Sequence, residues 1–297
     1  MARVRTLARH RAGVLVAATA ALAVALTGPA TATPATATTP ASSDSSDPGD
    51  PDPSDPDAGI PDAGALEAGT PDATSVKAFT PALAAQLPRG HDVSSYQGRV
   101  DWTAARQKGA RFVYVKATES TSYRNPRFSQ QYDGARKAGL IRGAYHFALP
   151  DRASGTRQAA YFVRHGGGWR ADGWTLPPVL DIEYNPYSEK HKCYGLSAQR
   201  MVRWIRSFSD EIKHETGRRP VIYTTTQWWK LCTGNSRSFS SSHPLWVARH
   251  GTARPGTLPG GWRYWTFWQY SIKGGLPGDQ DLFNGSPSRL RTFARDR

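Results

Sequence analysis

Short runs of apolar residues recur from about residue 90 to the end of the chain, and polar residues or glycines separate them. Runs of four to eight residues that are rich in β-branched and aromatic side chains are typical of buried strands. After a first strand that ends near Asp92, such runs lie at residues 111–117, 141–148, 179–183, 221–225, 245–249, 264–270 and 278–282. The pattern therefore predicts eight strands within one domain.

Between the early strands, apolar positions recur every three or four residues, which is the spacing of an amphipathic helix. The clearest helices are predicted at residues 128–138, 154–164 and 197–215. Ser197 is suited to cap the last of these, and Gly217 to end it. Strands and about five helices alternate in the first part, whereas the last strands leave no room for helices between them. This order predicts an α/β fold in which eight strands close into a TIM-like barrel that lacks its last helices.

The N-terminal segment has a composition unlike the rest of the chain. Residues 1–11 contain four Arg and no acid, an apolar run follows, and an Ala-Thr-Ala site comes after it. This order predicts a secretory signal peptide over residues 1–37, so we expect the mature protein to be secreted. Residues 38–85 are rich in Pro, Ser, Asp and Ala, which predicts a disordered acidic linker. The folded domain is then expected over residues 86–297.

The charge of the chain is distributed unevenly, since 38 Lys and Arg residues and 24 Asp and Glu residues occur in the whole sequence. Without the four Arg of the signal, Lys77 and the nine acids of the linker, 33 cations and 15 acids remain, a net charge of +18. Such a charge predicts attraction to polyanions, and an exported protein meets anionic cell-wall polymers first. The alternative is that the charge only keeps the protein soluble. No recognised nucleic-acid motif occurs, and no other segment is apolar enough to span a membrane.

Two cysteines, Cys193 and Cys232, fall within the predicted domain. Export favours a disulfide between them, which would join two loops at the same rim of the barrel. Two cysteines without a nearby pair of histidines do not make a zinc site. We therefore expect no metal and no cofactor.

The most informative stretch runs from Pro178 to Glu183, where a short apolar strand carries two carboxylates. Alternate residues of a strand point to the same side, so Asp181 and Glu183 are expected to have Cα atoms roughly 7 Å apart. Residues 184–186 break the strand, which places both carboxylates at its C-terminal end, where ligands bind in parallel α/β folds. A proton donor beside a charged carboxylate suits cleavage of a glycosidic bond, whereas the alternative is a pair that caps amides or binds Arg.

Other polar and aromatic residues are predicted to converge at the same end of the barrel. Aromatic faces stack on the C–H groups of sugars, while carboxylates accept hydrogen bonds from sugar hydroxyl groups. The candidates are Asp92, Glu119, His146, Asp279, Tyr145, Tyr223, Trp246, Trp268 and Tyr270. The alternative for each aromatic residue is a place in the core, since Trp and Tyr are often largely buried.

Five stretches of the sequence occur in the order found in one enzyme family. Residues 90–98, which read Gly-His-Asp-Val-Ser-Ser-Tyr-Gln-Gly, resemble the opening strand signature of glycoside hydrolase family 25 lysozymes. The other matching stretches are residues 112–119, 143–147, 178–183, and 268–270 followed by 277–285. The resemblance covers about residues 88–290. It implies a flattened TIM-like barrel of the (β/α)5(β)3 type, with eight strands and five helices.

The resemblance implies an N-acetylmuramidase, an enzyme that hydrolyses the β-1,4 bond between N-acetylmuramic acid and N-acetylglucosamine in peptidoglycan. Glu183 matches the general acid and later base, and Asp181 matches the residue that orients and stabilises the 2-acetamido group. Asp92 and Asp279 match the two other acidic residues of the site, although Asp281 could face the same side as Asp279. The family's retaining mechanism, in which the acetamido oxygen is the internal nucleophile, fits this set of residues.

Two alternatives to a muramidase remain open on the sequence alone. An inert wall-binding module would keep the groove and lose a carboxylate, but all four acidic positions are filled. An exported glycosidase acting on chitin would use the same N-acetylglucosamine chemistry. We expect a monomer whose partners are peptidoglycan and anionic wall polymers, with no nucleic-acid partner.

Overall fold

Residues 80–296 are described by the structure, a computed structural model, and they form nine strands and seven α-helices. The predicted signal peptide, residues 1–37, and the linker up to residue 79 lie outside these residues. No helix within residues 80–296 combines the length and the apolar character needed to cross a membrane.

Eight strands close into a barrel, as the sequence predicts. The strands are β1 (Arg89–Val93), β2 (Ala110–Glu119), β3 (Tyr123–Arg124), β4 (Ile141–Phe147), β5 (Val179–Asp181), β6 (Val221–Thr225), β7 (Leu245–Ala248), β8 (Phe267–Ser271) and β9 (Asp279–Phe283). Neighbours follow the order β1-β9-β8-β7-β6-β5-β4-β2, and pairing of β1 with β2 closes the ring. β3 is an additional two-residue strand that pairs with the end of β2. The strand predicted at residues 264–270 begins only at Phe267.

The strands of the barrel run parallel to their neighbours with one exception, β9, which is antiparallel to both β1 and β8. Only residues 272–278 join β8 to β9, and a loop of that length is too short for the crossover that a parallel connection needs. As a result, Asp279 at the start of β9 lies opposite Asp92 near the end of β1. The reversal brings Asp279 to the end of the barrel where the parallel strands finish.

Five of the helices fill the connections between β1 and β7. The helices are α1 (Pro81–Gln86), α2 (Trp102–Gln107), α3 (Phe128–Lys137), α4 (Gly155–Phe162), α5 (Ala198–Thr216), α6 (Thr226–Thr233) and α7 (Pro287–Arg295). α2 to α6 lie in successive connections, and no helix occurs between β7, β8 and β9 in the described residues 245–283. This arrangement confirms the predicted (β/α)5(β)3 order. α1 precedes the barrel, and α7 follows it.

α1 occupies residues that the composition places in the linker. The Thr80 side chain accepts a hydrogen bond from the Leu83 backbone N–H at 3.2 Å and so caps the helix. Ala84 and Leu87 pack against the apolar cluster between the strands and the helices. Packing against the domain thus begins a few residues before the predicted start at residue 86.

α5 illustrates how the sequence builds the layer between barrel and helices. The Ser197 side chain caps its first turn, and Gly217 ends it in the left-handed conformation at φ 73°, as predicted. Trp204, Ile205 and Phe208 lie on the buried face of the helix and pack against the outside of the barrel. Burying one such apolar side chain contributes roughly 1.5–3 kcal/mol.

A second apolar cluster fills the interior of the barrel. Several of its members come from the first residues of strands, including Phe112, Ile141 and Phe267. α7 contributes Leu290 to the same cluster, and the Phe293 ring lies 5.7 Å from the Phe267 ring. Because these strand residues lie where the parallel strands begin, α7 closes the barrel at that end. We call it the basal end.

Cys193 and Cys232 form the predicted disulfide, with their Cα atoms 5.3 Å apart. Cys193 lies in the loop after β5, whereas Cys232 belongs to α6, so the bond joins a loop to a helix and not the two loops predicted. The bond therefore fixes the loop that follows the predicted carboxylate pair to the helical layer. In the chain-entropy model, a disulfide that closes a loop of this size contributes about 3–4 kcal/mol.

Candidate active site

A pocket of about 270 Å³ opens at the end of the barrel where the parallel strands finish. Each of the eight barrel strands contributes at least one lining side chain. The lining residues are Asp92, Ser94, Tyr96, Gln97, Lys116, Tyr145, Phe147, Asp181, Glu183, Tyr223, Trp246, Gln269 and Asp279. The pocket thus lies where ligands bind in parallel α/β barrels.

Seven of the residues predicted from the sequence line this pocket together. They are the acidic residues Asp92, Asp181, Glu183 and Asp279 and the aromatic residues Tyr145, Tyr223 and Trp246. Strand pairing accounts for part of the convergence, because Asp181 is paired with Phe147 on β4 and with Tyr223 on β6. Since alternate residues of a strand share a face, Tyr145 and Phe147 point into the barrel together.

Asp181 and Glu183 form the acidic pair predicted at the end of β5. Asp181 is buried, and its Oδ1 atom has no hydrogen-bond partner among the described residues. Burial and the charge of Glu183 raise the pKa of Asp181 well above its usual range. Burial raises the pKa of Glu183 to about 7, although the charge of Lys116 opposes the rise. The acidic pair therefore holds a proton near neutral pH.

Asp92 is held by a chain of side-chain hydrogen bonds. Gln269 Nε2 donates to Asp92 Oδ2 at 2.7 Å, and the Tyr223 hydroxyl donates to Gln269 Oε1 at 2.9 Å. Burial and the nearby charge of Asp279 raise the pKa of Asp92 to about 8. Burial also raises the pKa of Asp279. The carboxyl groups of the pocket therefore do not all ionise at neutral pH.

Asp279 and Asp281 both point into the barrel but lie at different depths. Asp279 lines the pocket, whereas Asp281 is fully buried and does not. Trp246 Nε1 donates to Asp281 Oδ1 at 2.9 Å. Burial, with the charge of Asp92, raises the pKa of Asp281 well above its usual range. Of the two aspartates left open by the sequence, Asp279 is the one that a ligand in the pocket reaches.

Lys116 is the one cation among the residues that line the pocket. Its Nζ atom lies 2.6 Å from Glu119 Oε2 and 4.7 Å from the centre of the Phe147 ring. The Tyr123 ring centre lies 5.4 Å from the same atom. These contacts hold a positive charge beside the acidic pair, and that charge opposes the rise of both pKa values.

Four predicted site residues do not line the pocket, namely Glu119, His146, Trp268 and Tyr270. Trp268 and Tyr270 alternate with Gln269 along β8, so they face the other side of the strand. Trp268 belongs to the apolar cluster outside the barrel, and its Nε1 atom donates to the Arg249 carbonyl at 3.0 Å. Gln269 is therefore the residue of this Trp-Gln-Tyr segment that reaches the pocket.

His146 and Glu119 do not line the pocket, and each binds neighbouring side chains instead. The ring nitrogens of His146 lie 2.8 Å from Thr118 Oγ1 and 2.9 Å from Gln158 Oε1, within the layer between barrel and helices. Burial lowers the pKa of His146 to about 4. Glu119 binds the lysine of the pocket and accepts a hydrogen bond from the Tyr187 hydroxyl. His146 thus supports the wall of the barrel, and Glu119 supports Lys116.

Six lining residues are absent from the candidates that the sequence suggests: Ser94, Tyr96, Gln97, Lys116, Phe147 and Gln269. A signal existed for Gln269, because a polar residue between two aromatic residues of a strand must face the opposite side from both. Tyr96 is 94% exposed, so no apolar pattern marks it in the sequence. Lys116 follows an apolar strand run, and only its contacts place it in the pocket.

One group of potential metal ligands occurs within residues 80–296. Donor atoms of Glu211, His214 and Glu215 lie within 4.8 Å of one another on α5. None of these residues lines the pocket, and His214 and Glu215 are exposed. Nothing ties this group to the chemistry of the pocket.

The pocket combines a proton donor, further carboxyl groups and aromatic walls. A carboxylic acid with a pKa near 7 can protonate a leaving group at neutral pH and accept a proton afterwards. Neighbouring carboxylates stabilise the positive charge that develops on a sugar ring. Tyr145 and Tyr223 line the pocket with little exposed surface, whereas Trp246 is only 2% exposed and its ring is stacked on that of Tyr114 in the barrel interior. The arrangement suits acid–base hydrolysis of a glycosidic bond.

Comparison with known proteins agrees with this chemistry. The chain matches the profile described as Glycosyl hydrolases family 25 over residues 91–279. A protein from Chalaropsis sp named N,O-diacetylmuramidase is 49% identical over 209 residues, which cover 69% of this chain and 98% of that protein. A protein from Streptomyces globisporus named Lysozyme M1 is 49% identical over 213 residues, 70% of this chain and 71% of that protein.

A solved structure also matches the barrel. The crystal structure of a bacterial lysozyme from Streptomyces coelicolor is 48% identical and superposes with a TM-score of 0.68. The match covers 70% of this chain and 97% of that structure. Because the family profile spans more than half of the chain and the relatives are matched over most of their length, the chain belongs to glycosyl hydrolase family 25.

Proposed function

We propose that the protein is an N-acetylmuramidase that hydrolyses the β-1,4 bond between N-acetylmuramic acid and N-acetylglucosamine in peptidoglycan. Family membership and the names of the relatives, a lysozyme and an N,O-diacetylmuramidase, support this activity. The observation that carries the proposal is the acidic pair, Asp181 and Glu183, in a pocket to which all eight barrel strands contribute.

Glu183 acts in this proposal as the general acid and, later in the cycle, as the general base. Its pKa, raised to about 7 by burial, leaves a large fraction of the molecules protonated at neutral pH. The proton passes to the glycosidic oxygen as the bond to the departing sugar breaks. The carboxylate that results then takes a proton from the water that attacks the anomeric carbon.

Asp181 orients the 2-acetamido group of the substrate. Its buried Oδ1 atom lacks a partner among the described residues, so a donated acetamido N–H would satisfy it. Held in this way, the acetamido oxygen attacks the anomeric carbon and forms an oxazolinium ion. In this proposal the proton of the acidic pair lies on Glu183, which leaves Asp181 as the carboxylate that stabilises the positive charge. No protein atom then has to reach the anomeric carbon. Retention therefore does not require the carboxylate separation of about 5–5.5 Å found in direct retaining enzymes.

Asp92 and Asp279 bind sugar hydroxyl groups in the same pocket. The two residues lie opposite each other on β1 and β9, and Gln269 fixes the Asp92 carboxyl through its 2.7 Å hydrogen bond. Carboxyl groups held in this way accept hydrogen bonds from sugar hydroxyl groups. Tyr96, which lines the pocket and is 94% exposed, offers a ring on which the sugar C–H groups pack.

The proposal that the enzyme acts outside the cell is supported by the sequence of residues 1–37, which the structure does not describe. The N-terminal signal pattern supports export, which brings the enzyme to peptidoglycan outside the cell. The net charge of +18 beyond the linker supports anionic wall polymers as a second partner. A monomer suffices for this function, because one chain supplies the whole pocket lining.

Mass spectrometry of digested peptidoglycan tests the proposal. Purified peptidoglycan incubated with the protein should yield fragments with new reducing ends on N-acetylmuramic acid. Chitin is the comparison substrate, and faster release of fragments from chitin would replace the muramidase with a chitin-acting glycosidase. Binding to peptidoglycan without new reducing ends would instead indicate an inert wall-binding module.

A further inference from the structure

The basal end of the barrel, opposite to the pocket, is closed by a helix that carries exposed cations. Leu290 of α7 is buried in the barrel interior, whereas Arg289, Arg291 and Arg295 are exposed. Within residues 80–296, only Arg295 of these three has a carboxylate partner, Asp296 at 3.1 Å. The helix that seals the barrel thus presents two cations that form no ion pair with the described residues.

Two arginines meet at Trp174, in the loop before β5. The guanidinium carbon of Arg136, from α3, lies 3.9 Å from the centre of the Trp174 ring. That of Arg291, from α7, lies 4.0 Å from it. These cation–π contacts orient both guanidinium groups. In the part of the chain that the structure describes, neither arginine has a carboxylate at ion-pair distance, so two positive charges are held near one ring without a neutralising acid.

Two further exposed cations belong to the same segments of the chain as Arg136 and Trp174. Lys137, next to Arg136 on α3, and Arg170, in the loop before β5, are exposed. The acid of this loop, Asp172, is already engaged, since it pairs with Arg142 at 4.0 Å and accepts backbone hydrogen bonds from residues 174 and 175. We define the basal surface as Arg136, Lys137, Arg170, Arg289 and Arg291.

A stabilising role accounts for some basal cations but not for all of them. Arg218 donates to the Phe293 carbonyl at 3.3 Å and so ties α7 to the start of β6. The side chains of Lys137, Arg170 and Arg289 have no hydrogen bond, ion pair or ring contact with the described residues. Exposed cations without acidic partners repel one another and contribute little to folding. A group of them is suited to binding a polyanion.

We propose that the basal surface binds the phosphodiester groups of anionic cell-wall polymers. Guanidinium groups suit phosphate because they donate two parallel hydrogen bonds to its oxygens. The surface lies at one end of the barrel and the pocket at the other, so a polymer bound at the base leaves the acidic pocket free for the glycan. The proposal rests on the muramidase function, which brings the enzyme to walls that carry such polymers.

A variant that removes three charges tests the surface: Lys137→Gln, Arg170→Gln and Arg289→Gln, called the basal variant. These side chains are exposed and lie outside the pocket, so we expect folding and turnover to stay unchanged. A matched rim variant removes three exposed cations from loops that follow β5, β7 and β8, by Lys190→Gln, Arg254→Gln and Lys273→Gln. Both variants lower the net charge by the same amount.

Sedimentation with purified walls at low salt measures binding. The walls are used before and after extraction with hydrofluoric acid, which hydrolyses phosphodiesters. We expect the basal variant to bind untreated walls at least about tenfold more weakly than the unsubstituted protein, and the rim variant to bind nearly as well as that protein. Extracted walls, or high salt, should weaken binding of the unsubstituted protein to the level of the basal variant.

Three outcomes would overturn the proposal. Equal loss in both variants would mean that net charge alone sets binding. Unchanged binding after extraction would exclude phosphodiesters as the ligand. Displacement by a DNA duplex, but not by phosphodiester polymer released from the walls, would assign the surface to nucleic acid.

Two further measurements keep the result clear. Turnover of soluble muropeptide chains is recorded in parallel. If the unsubstituted protein shows no turnover, the proposed muramidase function is refuted, whatever the sedimentation result for the basal surface. Melting temperatures of the variants report on folding. Should the basal variant be unstable, Arg289→Gln alone provides the comparison, with binding expected to weaken a few-fold.

Discussion

Replacing Glu183 by Gln should abolish most hydrolysis, because the amide keeps the shape of the side chain but cannot transfer the proton. General acid–base assistance is worth about 10²–10⁴-fold, or roughly 2.7–5.4 kcal/mol of transition-state stabilisation. The structure adds a signature in pH, since burial raises the pKa of Glu183 to about 7. Activity of the unsubstituted enzyme should fall about tenfold per pH unit above that value. The residual rate of the variant should lack this dependence.

Glu119→Gln is the matched comparison, because it makes the same chemical change beside the pocket. Glu119 does not line the pocket, but its Oε2 atom lies 2.6 Å from Lys116 Nζ. Removing the carboxylate leaves the charge of Lys116 uncompensated, which favours the ionised form of Glu183. This variant should keep most of its turnover, while the alkaline fall in activity moves to lower pH.

Initial rates on soluble muropeptide chains, followed by the release of reducing ends across the pH range, measure both effects. Thermal melting at each pH verifies that both variants remain folded. Retention of more than about a tenth of the activity by Glu183→Gln would mean that another group is the acid. A shift of the Glu119→Gln profile to higher pH would contradict the position of Lys116 beside the acidic pair.

Three further predictions concern the acidic pair and the disulfide. Asp181→Asn should lower kcat strongly and KM little, because the charge matters as the oxazolinium ion forms; a change confined to KM would make Asp181 a binding residue. Burial raises the pKa of Glu183 from 4.5 to about 7 in the folded state. The contribution of Glu183 to the free energy of unfolding is therefore highest below pH 4.5 and is lost as the pH rises through about 7. Glu183→Gln should therefore raise the melting temperature more at pH 8 than at pH 4, and equal shifts would contradict the burial argument. Reduction of the Cys193–Cys232 bond should lower the melting temperature by several degrees, and labelling of both thiols without reductant would contradict the disulfide.

The order of strands and helices could be predicted because hydrophobic period and capping are local properties. Residues 197–215 display a helical period between Ser197 and Gly217, and the structure places α5 between the same two residues. The paired carboxylates could be predicted for a related reason, since alternation along β5 puts residues 181 and 183 on one face without any knowledge of the rest of the fold.

Which face of a strand points into the barrel could not be predicted in the same way. A barrel strand is buried on both sides, by the interior and by the helical layer, so both sets of side chains are apolar or aromatic. For β8 this ambiguity favoured Trp268 and Tyr270 as candidates, whereas Gln269 lines the pocket. The same ambiguity applies to β4. Only the tertiary structure shows that Tyr145 faces the barrel interior, whereas His146 faces the helical layer.

The direction of the last strand follows from the length of one connection. The short connection between β8 and β9 already requires an antiparallel pair. That reversal alone places Asp279 at the mouth of the barrel and Asp281 two residues deeper, where Trp246 Nε1 donates to it at 2.9 Å. The order of depth between the two aspartates thus follows from loop length and alternation together.

The same topology also separates acidic from basic residues. The strands end at the pocket, which holds the four carboxyl groups, and the helices run back toward the basal end. The last turn of α4 carries no cation, but those of the other four connecting helices do, where the helix dipole favours positive charge: Arg106, Arg136, Lys137, Lys213 and Lys230. This local preference of the helices adds cations to the basal end, whereas the floor of the pocket is acidic. At 0.1 M salt, interactions of exposed charges are screened beyond about 10 Å, whereas interactions between buried charges are screened far less. Salt should therefore weaken wall binding by the exposed basal cations and have little effect on catalysis in the pocket.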